Sequence, residues 1–323
     1  MLAISGAVMD DSTSLMLPKW AIIACKLPKP FWTIVSHIVG SYWFFDSLFI
    51  KKGTPKSLEA MRILLGLRSL KAFKGYWSLQ VNDAKNVVLN CFLHEKDIEQ
   101  LKVWSQNNIR YNKYENFLDA DNRNKPIILL LNSFTVHYLG LLKNSNIDRK
   151  IKVVQPKLAL DILNKVGFYE KLSIVSGNSI SGIEADSKRV GIQLVKSLKK
   201  NEILAMRVDS LPTQTNRFVF SNISNQKSVF PLSILELAAK FNATILPFHI
   251  FLQDDKYVTE FGKPVYLDNK LKNEDYGVIS KKLDFEMFNK VSELPYKYSG
   301  WAGLLDKIRL AQSLEVEVIK NDI

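Results

Sequence analysis

From Pro126 onward, short apolar runs alternate with stretches in which apolar residues recur every three or four positions. That is the signature of buried strands alternating with amphipathic helices. The runs predict strands at 127–131, 151–154, 172–175, 203–208, 217–220, 244–252 and 257–261. Helices are predicted at 158–166, 186–199, 231–241 and 276–288. The third of these opens on Pro231, whose missing N–H costs nothing in a first turn. The tail from Tyr298 either packs back on the body or hangs free. Strands and helices in this order imply an α/β fold with a central, mainly parallel sheet flanked by helices.

The first 122 residues follow a different pattern and read as a helical N-terminal region. One helix is predicted at 57–74 with Ser57 as its N-cap, and another at 93–108 carrying Ile98, Leu101 and Trp104. The polar cluster at 119–125 marks the boundary with an α/β domain over 123–323, the two packed as one unit. Residues 30–45 are uncharged and aromatic, with Phe31, Trp32, Tyr42, Trp43, Phe44 and Phe45. The stretch is shorter than the roughly 20 residues a membrane span needs. Lys19, Lys26 and Lys29 precede it, and Lys51 and Lys52 follow. Flanking lysines around an aromatic helix suit one lying in a membrane interface. The other reading is a core helix in an aromatic packing layer. The first gives the expectation of a cytoplasmic protein peripheral to the inner membrane, with an anionic membrane surface as a partner. Asp10 and Asp11 stand where a secretory signal would be basic, so none is expected.

Charge narrows the partners further. The chain of 323 residues carries 44 Lys and Arg against 32 Asp and Glu, a formal charge of +12. Such a surplus attracts polyanions or acidic proteins. Most of these residues read as solvated helix faces. Arg110, Tyr111, Lys113 and Tyr114 mix basic and aromatic groups but read as the solvated end of a helix, so nucleic acid is not an expected partner. Cys25 and Cys91 lie far apart in sequence, in dissimilar apolar settings, as suits reduced buried thiols. No Cys/His spacing supports zinc, and with four histidines a His-rich metal site is not expected. The sequence has no GxxxxGK[ST] motif, and its segment 177–182 is only a weak glycine loop.

Two apolar runs end on polar groups. The strand at 127–131 runs into Asn132-Ser133-Phe134-Thr135-Val136-His137-Tyr138, and the run from Ile203 ends at Asp209-Ser210. Open α/β sheets build reaction centres at the carboxyl ends of their strands. Arg207 and Arg217 flank Asp209 and could hold a phosphate or carboxylate. By strand alternation Arg207 shares Asp209's side and could neutralise it. His249 lies within a buried strand and reads as structural.

The order of segments from Asn122 to about Leu267 resembles the lysophospholipid acyltransferase superfamily, in its lipid A biosynthesis (late) acyltransferase branch. The resemblance is carried by the first strand and its turn, by Ile151-Lys-Val-Val-Gln-Pro156, and by Arg189 through Asp209. Phe220 through Pro231-Leu-Ser-Ile-Leu-Glu and on to Pro247-Phe-His-Ile carries it most strongly. Upstream, Asn86-Val-Val-Leu-Asn-Cys-Phe is similar to the helical segment preceding the sheet in that family. The resemblance implies acyl transfer from an acyl-carrier-protein thioester; no cofactor is expected, because attack on a thioester needs only positioning, a base and oxyanion donors.

The chain departs from the family at the motif itself. Where members carry His-x4-Asp/Glu, this sequence places Ser133 and Tyr138. Three readings stay open. His137 is a relocated base oriented by a distant carboxylate such as Asp209. Alternatively, Ser133 is a donor or nucleophile, with His137 four residues on as its base. In the third, the site is inactive and the fold binds an acyl chain, a carrier protein or an enzyme partner. The catalytic candidates are thus His137, Asp209 and Ser133, and the substrate-binding candidates Asn132, Tyr138, Arg207, Ser210 and Arg217. The expected activity is transfer of an acyl group to an amine or hydroxyl, in lipid A-like or specialised-metabolite biosynthesis.

Overall fold

The structure is a computed structural model and describes residues 18–51, 53–135, 138–142, 147, 149–211 and 217–321. The N-terminal region is helical: α1 (Lys19–Ala24), α2 (Lys29–Phe45) with a wider turn over Asp46–Ile50, α3 (Lys56–Leu65), α4 (Ser69–Glu95) and α5 (Ile98–Asn108). Then follow β1 (Ile109–Asn112), α6 (Tyr114–Asn122), β2 (Ile127–Leu131), α7 (Leu139–Leu142), β3 (Ile151–Gln155), α8 (Lys157–Lys165), α9 (Phe168–Ser176) and β4 (Ile180–Glu184). The second half holds α10 (Val190–Lys199), β5 (Ile203–Arg207), β6 (Phe218–Ile223), β7 (Gln226–Pro231), α11 (Leu232–Lys240), β8 (Thr244–Gln253) and β9 (Lys256–Phe261). It closes with β10 (Val265–Tyr266), α12 (Asn273–Glu293) and α13 (Trp301–Asn321).

The fold is α/β, with a mainly parallel mixed sheet flanked by helices. Its strand order is β1-β9-β8-β2-β5-β3-β4, with β10 also on β8. β8 pairs antiparallel with β9 and β10; β2, β5, β3, β4 and β8 run parallel. β2 lies between β8 and β5, and all five of its residues are buried. Its side chains alternate between two cores. Ile127, Leu129 and Leu131 join the cluster under α4 and α9, while Ile128 and Leu130 join the one under α11 and α12. A continuous apolar run is what burial on both faces demands. β1 pairs with β9, so the mostly helical region before residue 122 also supplies an edge strand. Cys25 and Cys91 are both free and buried in the same core cluster rather than in dissimilar settings.

Several sequence expectations need correction. Residues 172–175 belong to helix α9, bracketed by Gly167 and Gly177 in left-handed conformation. Phe168, Leu172 and Val175 share its buried face, so the short apolar run has helical spacing. The strand comes later, as β4, where Gly182 lies so close to Leu160 that a β-carbon would collide with it. The helix expected over 57–74 is broken at Gly66, whose φ of 61° ends α3. Ser57 lies inside α3 and is not its cap. Likewise 93–108 is not one helix: α4 ends at Glu95, and Asp97 caps α5 by accepting the Gln100 N–H at 2.8 Å. The predicted 217–220 strand is β6, which forms a separate hairpin with β7.

The tail packs back. Tyr298 and Trp301 are fully buried, and Lys307 on α13 meets Asp284 on α12 at 2.9 Å, both almost without solvent contact. Ser228 of the β6–β7 hairpin donates to the same carboxylate at 3.3 Å. Desolvation offsets much of the Coulombic gain of such a pair, but stranding one partner is costly. Lys307→Ala is therefore expected to lower unfolding stability by about 3–5 kcal/mol. The Asp284→Leu/Lys307→Met double variant should recover most of that, as read by denaturant titration.

Candidate active site at the ends of two central strands

β2 and β5 are adjacent and parallel, in register from Ile127 opposite Ile203 to Leu131 opposite Arg207. Their carboxyl ends therefore deliver Asn132-Ser133 and Val208-Asp209 side by side. Asp209 is 2% exposed. One of its oxygens accepts from Arg207 Nε at 3.2 Å and Nη2 at 3.0 Å. The other accepts the Ser133 backbone N–H at 2.8 Å and the Tyr298 hydroxyl at 3.1 Å. Burial pushes its pKa up, but the Arg207 guanidinium and the Ser133 N–H outweigh burial and hold the carboxyl below the ordinary aspartate value. Asp209 is thus a fixed anion that clamps the turn after β2 to its neighbour strand and to the tail. Tyr298, buried beside that anion, keeps its phenol well above the usual pKa.

The tail completes the clamp. The Ser299 N–H donates to the Ser133 carbonyl at 2.6 Å. A β-carbon at Gly300 would collide with Tyr298 and the Asp209 carboxylate, and one at Gly303 with the Asp209 carbonyl. The beginning of α13 can approach the strand ends only because both positions are glycine.

Helix α4 closes the turn from the other side with a row of polar residues. Asp83 accepts from the Ser299 hydroxyl at 2.5 Å. The Asn86 amide donates to the Phe134 carbonyl at 3.3 Å and accepts from the Thr135 hydroxyl at 2.8 Å. Asn90 accepts from the Tyr138 hydroxyl. Asn82 donates to the Lys297 carbonyl at 3.1 Å. Asp83, 3% exposed, has its pKa raised to about 7 by burial, against the lowering effect of its bond from Ser299.

The other sequence candidates are distributed unevenly. Asn132 is buried; its amide donates to the Met287 carbonyl at 3.1 Å and lies 3.3 Å from His249 Nδ1. His249 faces Glu260 across the β8–β9 ladder, and burial drops its pKa to about 3. It is therefore neutral at pH 7, as befits a structural histidine. The Ser133 hydroxyl oxygen is buried without a hydrogen-bond partner among the described residues. Tyr138 packs against Phe168 in the α4–α9 core and bonds Asn90, away from Asp209. Ser210 is exposed. Arg217 turns to Glu236 at 2.6 and 2.9 Å and so is not brought to Asp209. His137 lies outside the described residues.

Beside Asp209 a crevice lined by Asn132, Asp209, Asp284, Tyr298 and Lys307 has room for little more than a water-sized molecule. Asp83, Tyr298 and Ser299 were not sequence candidates. Their available signals were polar residues at three- and four-residue spacing along the apolar face of α4, and the paired glycines of Gly300-Trp-Ala-Gly303.

Two outcomes follow. Asp83 stays protonated in the fold up to about pH 7, whereas the unfolded chain ionises it near 4. Its contribution to stability is therefore full below pH 4 and is lost as pH rises to about 7. Melting curves of Asp83→Asn should lack the decline that wild type shows between those values. Gly303→Ala should lower stability by about 1–3 kcal/mol, because the obstacle is backbone and cannot rotate away; a chemical denaturation midpoint at or above wild type would contradict that close approach. Compared with known protein families and curated proteins, the chain matches no family model and no curated sequence.

Proposed function

We propose that the chain is an atypical acyltransferase that moves an acyl group from an acyl-carrier-protein thioester to an amine or hydroxyl. The observation that carries this reading is the Ser133 peptide pinned by Asp209 and Ser299 at the joined ends of β2 and β5. The turn so fixed leads directly to His137. A base must be held in register with its substrate before proton transfer helps, and the contacts to Ser133 fix the chain four residues before it. In the proposed reaction the acceptor nitrogen or oxygen bonds to the acyl carbon and the carbon–sulfur bond breaks. His137 takes the acceptor's proton and passes it to the departing thiolate. Asp209 acts as an anchor for the turn, since its oxygens already hold Arg207, Ser133 and Tyr298. The charge of +12 gives an acidic carrier protein a reason to dock. A lipid A-like or specialised-metabolite acceptor fits this reading equally.

A second reading, a non-catalytic relative that holds an acyl chain or carrier, draws on a different feature. A mostly apolar void beside Leu129, Gly140, Ile151, Phe248 and Phe261 lies on the opposite face of β2 from the Asp209 crevice; it is as small as that crevice and would have to widen to take an acyl chain. Release of free thiol from acyl-carrier-protein thioesters of graded chain length separates the two. For the enzyme, His137→Ala should cut turnover by about 100-fold or more, and Asp209→Asn should also reduce it. Wild-type protein that releases no thiol at any chain length, or variants that turn over normally, would remove the acyltransferase reading.

A further inference from the structure

The first described helices bury one face and leave the other bare. Along α2 and its terminal turn, Phe31, Ile34, Ile38, Tyr42, Phe45 and Phe49 recur every three or four residues, and each is about half exposed or more. At 100° per residue they form one ridge. The opposite face is fastened to α4. Trp32, Ser36 and Gly40 are buried, and Gly40 lies against the Val81 backbone too closely for any β-carbon. Trp77 Nε1 donates to Ser41 at 2.9 Å and Tyr76 to Ser47 at 3.0 Å. Those contacts make α2 and α4 antiparallel, so the start of α4 lies beside the end of the ridge. There Leu70 adds a further exposed apolar side chain, 86% accessible.

Charge frames this ridge at both ends. Lys19, Lys26 and Lys29 are exposed at one end, where Lys26 meets Glu95 at 3.4 Å and Lys29 donates to Asn108 at 2.6 Å, and Lys51, paired with Asp46 at 3.0 Å, stands with Lys71 and Lys74 at the other. The only acid between residues 18 and 51 is Asp46. The 22-residue helical stretch Lys29–Ile50 is apolar and, at 1.5 Å per residue, long enough to cross a bilayer. A spanning helix would have to abandon its contacts with α4, and α4 belongs to the same cores as the sheet.

We propose that this ridge docks the intact protein flat on an anionic lipid bilayer, with α2 in the plane of the interface and not across it. The apolar ridge enters the acyl boundary while the lysines at its ends meet the headgroups, the arrangement of a monotopic amphipathic helix. The proposal goes beyond acyl transfer and does not depend on it.

Sedimentation of the full chain with vesicles, without any acyl donor, tests it. Wild type should pellet with vesicles containing phosphatidylglycerol and less with pure phosphatidylcholine. A Phe31→Glu/Ile38→Glu/Phe49→Glu variant should lose binding by about tenfold or more, with unchanged circular dichroism and melting, because these side chains are exposed. Lys71→Glu/Lys74→Glu should weaken only the preference for the anionic lipid. Absence of wild-type binding, or undiminished binding by the triple-glutamate variant, would overturn the proposal. So would wild type that resists alkaline carbonate extraction, which marks a span. A lipid-free dimer that the triple variant dissociates, with vesicle binding unaffected, would show that a second copy covers the ridge.

Discussion

The structure around the candidate site depends on one buried anion. Asp209 stands where β5 ends, and its two oxygens hold a guanidinium, a backbone amide and a phenol from three separate parts of the chain. Taking a carboxylate out of water is expensive, and only several charge-assisted contacts can offset it. Here those contacts come from the same strand, the neighbouring strand and the tail. The position of the turn after β2 is therefore set by electrostatics at a point, not by apolar packing alone.

The opposite wall of the turn follows a different rule. Asp83, Asn86 and Asn90 project from α4 toward the turn and the tail, and all three are engaged by hydrogen bonds. Asp83 receives one hydroxyl and, among the described residues, pairs with no cation, so burial raises its proton affinity. Asp209, equally buried but paired with Arg207, moves the other way. Two carboxylates that hold neighbouring segments of one site thus have their proton affinities shifted in opposite directions. Environments that push titratable groups apart are what general acid–base sites require, and fully bonded polar networks also fix a unique packing.

Much of the sheet was legible because its strands are buried on both faces, which leaves the apolar run 127–131 and the run 244–252, where only Thr244 and His249 are polar. The same signal misled at 172–175, where a short apolar run belonged to a helix between two left-handed glycines. β1, β4 and the β7 half of the hairpin escaped because their residues are only partly buried or mixed in polarity. The partnership of Arg207 with Asp209 follows from strand alternation and could be read directly. Arg217 could not be placed by proximity in sequence, since β6 leaves the main sheet and the side chain finds Glu236 instead. The contributions of Asp83, Tyr298 and Ser299 arise from contacts between segments more than 80 residues apart, which periodicity does not encode.

The chemistry proposed for this fold requires Asp209 to serve as a permanent anchor and leaves proton transfer to another group. Carbon-13 NMR of the aspartate carboxyls, assigned with Asp209→Asn, measures this directly. The account predicts an Asp209 resonance that stays ionised from pH 9 down to the ordinary aspartate range, about 4. An Asp209 signal that titrates near neutrality would contradict it and make this carboxylate a proton carrier.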